Sequence, residues 1–101
     1  MDSSITILTE KNFDEFIKHS DFSVVLFGWL NCPPCKGTAE QLKPISNNLP
    51  CATVELSENP ELKWEYGIKE APTLVLFKNG AEVDRVKGYQ TTSQLKEWLN
   101  L

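Results

Sequence analysis

The chain contains 101 residues, of which 41% are hydrophobic and 24% are charged, a composition typical of one small globular domain with its own core. Its formal net charge is −4 at pH 7, which argues against a nucleic-acid-binding protein, because such proteins need clustered Lys and Arg residues. No apolar run is long enough for a secretory leader or a membrane span, so we predict a cytoplasmic protein that does not bind membranes.

The first half of the chain predicts alternating strands and helices. Residues 5–8 have the pattern of a short strand, and the helix that follows has Asn12 and Glu15 in place for its N-cap and N3 positions. Residues 23–29, with the sequence SVVLFGW, form the continuous apolar run that is typical of a strand buried on both faces. A second helix follows this strand, and Pro44 should kink or end it.

The second half predicts a strand, a short helix and a hairpin. Residues 51–57 resemble a strand, and the short helix after it has Asn59 as its N-cap and Gly67 as its terminator. The strongest local signal is the run PTLVLFKNGAEVDRV. Its Asn79 and Gly80 readily accept the positive φ angles of a tight turn between two antiparallel strands.

The last segment predicts a helix that packs onto the sheet. Thr91 and Gln94 have the spacing of a capping box, and Leu95 and Trp98 lie on one helical face. Together, the elements predict an α/β fold with a mixed central sheet of four to five strands and helices on both faces. Because no linker divides the chain, residues 1–101 are expected to form one domain.

The cysteines carry the main chemical signal. Three cysteines, an odd number, suit a reducing compartment better than a disulfide-stapled secreted scaffold. Cys32 and Cys35 are separated by two prolines and follow the carboxyl end of the buried strand. Such a pair can be a redox pair, half of a metal site or a structural pair. A zinc site needs four ligands, and only Cys51 and His19 remain to complete it, so we expect no metal. Cys51 is interpreted as a small buried hydrophobic residue.

Five segments of the chain resemble the thioredoxin family. They have the sequences VVLF, CPPCK, ENPEL, YGIKEAPTLVLFKNG and GYQTTSQLKEWL, in the order and at the spacing of that family. A Cys-x-x-Cys pair alone is a weak signal, because it also occurs in zinc sites. The preceding strand, the following helix and the distant APT segment make it specific, and the resemblance covers nearly the whole chain.

This resemblance implies the thioredoxin fold and a thiol-disulfide oxidoreductase. In that reading Cys32 is the exposed nucleophile, Cys35 is the buried resolving thiol, and Pro72 is a cis-proline that faces them. Ala71 would present its backbone to an extended substrate segment, and Gly88 would keep the substrate groove open. The implied protein is a monomer without a bound cofactor, with protein disulfides as substrates and a thioredoxin reductase as electron donor.

The residues of the motif suit this chemistry. Only a thiolate attacks a disulfide, and a helix N-terminus at Cys32 would stabilise the negative charge and lower the pKa of that thiol. Cys35 lies three residues further on and faces the same side of the helix, so it can resolve the mixed disulfide. Pro33 and Pro34 fix two φ angles and should stiffen the turn between the sulfurs.

The chain departs from the family behind the cysteine pair. The buried aspartate that usually lies six residues before the first cysteine is Leu26, and its usual lysine partner is Thr53. Without them Cys35 should retain its proton more strongly, because burial disfavours a charged thiolate. We therefore expect slower resolution than in a standard thioredoxin. Lys36, which follows the pair, is expected to lie with Leu26 and Thr53 next to the cysteines, without contacting the substrate.

The recognition surface departs from the family as well. The tryptophan that usually precedes the first cysteine is Asn31, and the usual glycine between the cysteines is Pro33. Trp29 is expected to line the site, and Trp64 and Trp98 to pack in the core or the groove. Two alternatives stay open: a thioredoxin-fold interaction module with weak or lost redox activity, and a variant that favours disulfide oxidation or isomerisation.

Overall fold

The computed structural model describes residues 5–101. Strands and helices alternate along most of this range, and the last two strands form a hairpin. The elements are β1 (Thr6–Leu8), α1 (Phe13–His19), β2 (Phe22–Gly28), α2 (Pro33–Leu42), β3 (Cys51–Glu55), α3 (Pro60–Glu65), β4 (Thr73–Lys78), β5 (Ala81–Lys87) and α4 (Thr92–Leu99).

The five strands form one mixed sheet in the order β1-β3-β2-β4-β5. Strands β1, β3 and β2 are parallel, whereas β4 runs antiparallel to both β2 and β5. Helices α1 and α3 contribute to the core on one face, and α2 and α4 contribute to the core on the other. The predicted α/β architecture, including the mixed sheet and the helices on both faces, is confirmed.

Strand β2 lies at the centre of both cores. Its Val25 and Phe27 join the core beneath α1 and α3, while Val24 and Leu26 join the core beneath α2 and α4. All four side chains are buried, so the continuous apolar run of the sequence reflects burial on both faces, as predicted. Phe13 adds aromatic packing on the first face, with its ring centroid 6.0 Å from that of Phe27.

The hairpin and the C-terminal helix form as their local sequences predict. Asn79 and Gly80 have φ angles of 51° and 86°, the left-handed conformations that a tight two-residue turn requires. Before α4, the Thr91 hydroxyl accepts from the Gln94 N–H at 3.1 Å, and the Thr91 N–H donates to Oε1 of Gln94 at 2.9 Å. The predicted turn and capping box are both confirmed.

The other two predicted caps are right in position and wrong in their hydrogen bonds. Asn12 and Asn59 precede α1 and α3, but neither side chain caps its own helix. Asn12 instead accepts from the Thr9 N–H at 2.7 Å. Asn59 accepts from the Glu10 N–H at 3.0 Å and donates to the Glu55 carbonyl at 2.9 Å, so it links the loop after β1 to the end of β3.

Helix α2 ends at Leu42, two residues before Pro44. The α-helical hydrogen bonds stop at Leu42, and the chain continues as a 3-10 turn, Lys43–Asn47. Pro44 lies in the first turn of that segment, where its missing N–H costs no helical bond. The prediction that Pro44 kinks or ends the helix is confirmed.

The tryptophan predictions are only partly right. Trp29 and Trp98 are half-buried and pack against the first and second core clusters respectively. Trp64, in contrast, has 82% of its surface exposed on α3, so its assignment to the core or groove is wrong. Its helix buries Leu62 instead, and the tryptophan lies on the outer side of that short helix. No helix within residues 5–101 has the length and apolar character to span a membrane.

Candidate active site

The cysteine motif lies where strand β2 leads into helix α2. Cys32 is the N-cap residue of α2, and the first two helical positions are Pro33 and Pro34. Two prolines are tolerated here because the first turn of a helix has no intrahelical acceptor for their N–H groups. The Cys35 N–H points back at Cys32 Sγ, at 3.3 Å, and the N–H of Lys36 donates to the Cys32 carbonyl at 3.0 Å.

The two sulfurs form a disulfide in this structure, so the geometry describes the oxidised state. Their Cα atoms are 5.2 Å apart, within the range that a disulfide spans. The two residues differ in access, because Cys32 is half-buried while Cys35 is only 5% exposed. An external disulfide can therefore reach Cys32 and not Cys35.

The last residue of β2, Gly28, makes room for the buried sulfur. A Cβ atom on Gly28 would lie 2.9 Å from Cys35 Sγ and 3.0 Å from Cys35 Cβ, closer than real side chains approach. The sequence prediction missed this residue. A glycine that ends an otherwise apolar strand signals such a close approach, and here it lies four residues before Cys32.

Three residues expected from the resemblance meet at the same end of the sheet. Phe27 at the end of β2 pairs with Thr73 at the start of β4, which in turn pairs with Lys87 at the end of β5. Pro72 and Gly88 immediately flank these strands, so they lie at the edge where the cysteine motif begins. The Ala71–Pro72 peptide bond is cis, and the Gly88 N–H donates to the Pro72 carbonyl at 2.8 Å.

The loop after β5 also contacts helix α2 directly. Gly88 has a φ angle of +85°, and the next residue, Tyr89, lies against Gly37, where an added Cβ would be 3.0 Å from the ring atom Cε1. The Gln90 N–H donates to the Thr38 hydroxyl at 3.4 Å. The sequence prediction did not single out Tyr89, a half-exposed aromatic residue whose ring lies against α2 at Gly37, two residues after Cys35.

A groove of about 330 Å³ lies behind the disulfide and reaches the buried cysteine. Leu26 and Thr53 are directly paired across β2 and β3, so both side chains face α2. Helix α2 contributes a second wall through Cys35 and Lys36. The complete lining is Ile7, Leu26, Gly28, Trp29, Leu30, Cys35, Lys36, Ala39, Thr53, Val54, Glu55 and Glu58.

The structure thus divides the predicted site residues into two groups. Leu26, Trp29, Lys36 and Thr53 line the groove behind Cys35. The second group belongs to the cysteine motif itself and to the loops before β4 and after β5. In the motif, Asn31, Pro33 and Pro34 are exposed. In the loops, Ala71 and Gly88 are half-buried and Pro72 is buried. Leu26 itself is only 2% exposed, so the apolar replacement of the expected aspartate is part of the core.

The third cysteine is separate from this chemistry. Cys51 is 2% exposed at the start of β3, and its Sγ donates to the Leu49 carbonyl at 3.4 Å. Burial raises the pKa of its thiol to about 12, so it stays protonated at neutral pH. The interpretation of Cys51 as a buried hydrophobic residue is confirmed. Across residues 5–101, no three His, Cys, Asp or Glu side chains form a group that could hold a metal ion.

Comparison with known proteins agrees with the fold and the motif. The family model described as Thioredoxin matches residues 4–101. A thioredoxin from Rickettsia bellii is 35% identical over 98 residues, covering 92% of this chain and 93% of the relative. Thioredoxin C-3 from Corynebacterium nephridii is 34% identical over 97 residues, covering 92% of this chain and 67% of that protein.

Solved structures show the same agreement. A mutant thioredoxin from Halobacterium salinarum superposes with a TM-score of 0.90 at 25% identity, covering 97% of this chain and 89% of that one. A thioredoxin from Malassezia sympodialis gives a TM-score of 0.85 at 26% identity, covering 97% and 90%. The family model, the relatives and the fold agree, and this chain has the Cys32–Cys35 pair, so it belongs to the thioredoxin family and is a thiol-disulfide oxidoreductase with protein-disulfide reductase activity.

Proposed function

We propose that this chain reduces protein disulfides in two steps, with Cys32 as the attacking sulfur and Cys35 as the resolving one. The observation that carries this assignment is the asymmetry of the pair: Cys32 caps α2 and is accessible, while Cys35 is buried one turn further along. In the first step the Cys32 thiolate attacks a substrate disulfide and releases one substrate thiolate. In the second, Cys35 displaces the other substrate sulfur and closes the Cys32–Cys35 disulfide.

The helix start supplies the electrostatics of the first step. The Cys35 N–H already points at Cys32 Sγ, at 3.3 Å, and the dipole of the ten-residue helix α2 adds partial positive charge at the same place. Both interactions favour a thiolate over a thiol, so the pKa of Cys32 in the reduced protein should lie below that of an ordinary cysteine. Pro33 and Pro34 have no N–H to donate and fix two φ angles, which holds the turn in the geometry that leaves the Cys35 N–H directed at Cys32 Sγ.

The surface around Cys32 suits an extended peptide of varied sequence. Ala71, Pro72 and Gly88 belong to loops at the same edge of the sheet, and a peptide lying along Ala71 would pair with its backbone as a strand does. Such main-chain pairing gives affinity without demanding particular side chains. We infer protein disulfides of several kinds as substrates, and reduction of the spent disulfide by a thioredoxin reductase in the cytoplasm.

A reductase-coupled assay tests both the activity and its direction. With a bacterial thioredoxin reductase and NADPH, the protein should catalyse insulin reduction, and Cys51→Ala should be equally active because that thiol lies outside the site. Oxidation of a reduced dithiol peptide that is faster than insulin reduction would instead favour an oxidase. Absence of turnover in both directions would favour an interaction module. In either case the proposed function would be wrong.

A further inference from the structure

We propose that Glu55 accepts the proton of the Cys35 thiol during resolution, in place of a carboxylate at position 26. This inference rests on the proposed roles of Cys32 and Cys35. It names the group that makes the buried thiol nucleophilic in a chain where the expected position holds leucine. Glu55 is the last residue of β3, on a different strand from Leu26.

The need for such a group follows from the burial of Cys35. The resolving sulfur attacks as a thiolate, and a thiol that is 5% exposed loses the solvation that would stabilise that charge. Leu26, which is packed in the same core face, offers neither a hydrogen bond nor a charge. The second step therefore depends on a polar group that reaches Cys35 from elsewhere.

Strand pairing places Glu55 next to Gly28, the residue over which the Cys35 sulfur lies. Leu26 pairs with Thr53 and Gly28 pairs with Glu55, so all four residues face α2 because side chains two apart share a face. Gly28 has no side chain, and the space above it is filled by Cys35 Sγ, 2.9 Å from where a Cβ would lie. Adjacent strands are about 4.8 Å apart, so Glu55 is the neighbouring side chain on the same face.

The groove connects the two groups. Cys35 and Glu55 both line the cavity of about 330 Å³ behind the disulfide, which has room for several water molecules. Glu55 is half-buried, and its Oε2 is held by the N–H of Ser57 at 3.1 Å and by the Ser57 hydroxyl at 2.7 Å. Its Oε1 makes no hydrogen bond within residues 5–101, so it is free to accept one from the groove.

The charges around the groove favour a transfer inside it. Its other titratable side chains are Lys36 from α2 and Glu58 from the turn before α3, while β1 and β2 contribute only apolar residues and Gly28. Loss of the Cys35 proton to bulk solvent would leave a thiolate beside the Glu55 carboxylate, two negative charges in a partly desolvated space. Transfer to Glu55 leaves one negative charge throughout and avoids that repulsion.

The chemical step balances without any further reactant. The proton moves from Cys35 Sγ to Glu55, directly or through one groove water, and the resulting thiolate attacks Cys32 Sγ of the mixed disulfide. The Cys32–substrate S–S bond breaks as the Cys32–Cys35 bond forms, so the protein is oxidised by two electrons and the substrate sulfur leaves as a thiolate. Glu55 then returns its proton to the leaving thiolate or to solvent.

The chain offers a closely matched pair of variants for the test. Glu55→Gln and Glu58→Gln remove the same charge from the lining of the same groove, but only Glu55 is paired with Gly28 beneath Cys35. A symmetrical nitrobenzoate disulfide reports both steps. Reduced protein releases one coloured thiolate when Cys32 attacks and a second when Cys35 resolves the adduct. The two rates can be followed by stopped-flow absorbance across a range of pH.

We expect Glu55→Gln to slow the second release by roughly a hundredfold, the lower end of the range for general base catalysis. Its dependence on pH should become that of an unassisted thiol, and Glu55→Asp should restore part of the rate. The first release should stay unchanged, which shows that the site is folded. Glu58→Gln should match the wild type in both steps.

Two results would overturn the inference while leaving the proposed function intact. One is a second release that Glu55→Gln leaves unchanged. The other is equal slowing by Glu55→Gln and Glu58→Gln, because the effect would then come from overall groove charge. A failure of the proposed function looks different: Cys35→Ser would still show two releases, so Cys35 would not be the resolving thiol.

Discussion

Replacing Cys35 with serine should convert the protein into a trap that stays covalently attached to its substrate. Cys32 keeps its position at the start of α2, so the first attack still occurs, but a hydroxyl does not displace the substrate sulfur. The mixed disulfide should persist at least roughly a hundredfold longer than in the wild type, because an external thiol must replace an oriented intramolecular one. Intact-mass measurement after mixing with a disulfide-bonded peptide detects the adduct.

The companion variant defines the first step. Cys32→Ser should neither form an adduct nor reduce insulin, since the remaining sulfur at Cys35 is 5% exposed. Cys51→Ala serves as the control for loss of a cysteine outside the motif and should behave like the wild type. Adducts on Cys32→Ser, or wild-type turnover by Cys35→Ser, would reverse or remove the assigned roles.

Introducing the carboxylate that the family usually carries should weaken the fold and speed resolution. Leu26 is 2% exposed and packs beneath α2, so Leu26→Asp removes a buried apolar side chain and buries a polar one. We expect a loss of about 3–5 kcal/mol in the free energy of unfolding at neutral pH. The new carboxyl would lie beside Cys35 and provide a second proton acceptor, most visibly when combined with Glu55→Gln.

The stability loss in this variant should depend on pH, and its sign is fixed by burial. Desolvation raises the pKa of a buried aspartate above its unfolded value of about 3.9. The folded state then binds the proton more tightly than the unfolded chain, so stability falls as pH rises through and above that value. The asparagine of Leu26→Asn has nearly the same shape as aspartate but does not titrate. The free energy of unfolding of this variant, measured by urea denaturation, should therefore depend less on pH. Equal dependence in both variants would contradict this explanation.

Local signals in the sequence predict much of this fold, because the turns and caps that they indicate are formed by residues close together in the chain. The Asn79-Gly80 turn needs only its own backbone angles, and the capping box joins two residues three positions apart. The caps at Asn12 and Asn59 follow the same pattern but have different partners. Asn59 bonds to backbone groups of Glu10 and Glu55, which are brought to it by the packing of α3 against the loop after β1.

The candidate site shows the same division between local and long-range information. The roles expected for Cys32 and Cys35 depend on a motif that lies between one strand and one helix, and the sequence places it there. The groove depends on which residues of β2 and β3 face each other, and register across parallel strands is not contained in either strand alone. Glu55 therefore became recognisable only from its pairing with Gly28 in the structure.

The central claim is that Cys32 is a stabilised thiolate at a helix start, with Cys35 protonated behind it. Alkylation of the fully reduced protein with iodoacetamide as a function of pH, read out by mass for each cysteine, measures this most directly. The account predicts that Cys32 reacts rapidly, with a pKa below the ordinary thiol value of about 8.5, while Cys35 reacts far more slowly. Equal rates at the two sulfurs, with Cys32 titrating at or above that value, would contradict it.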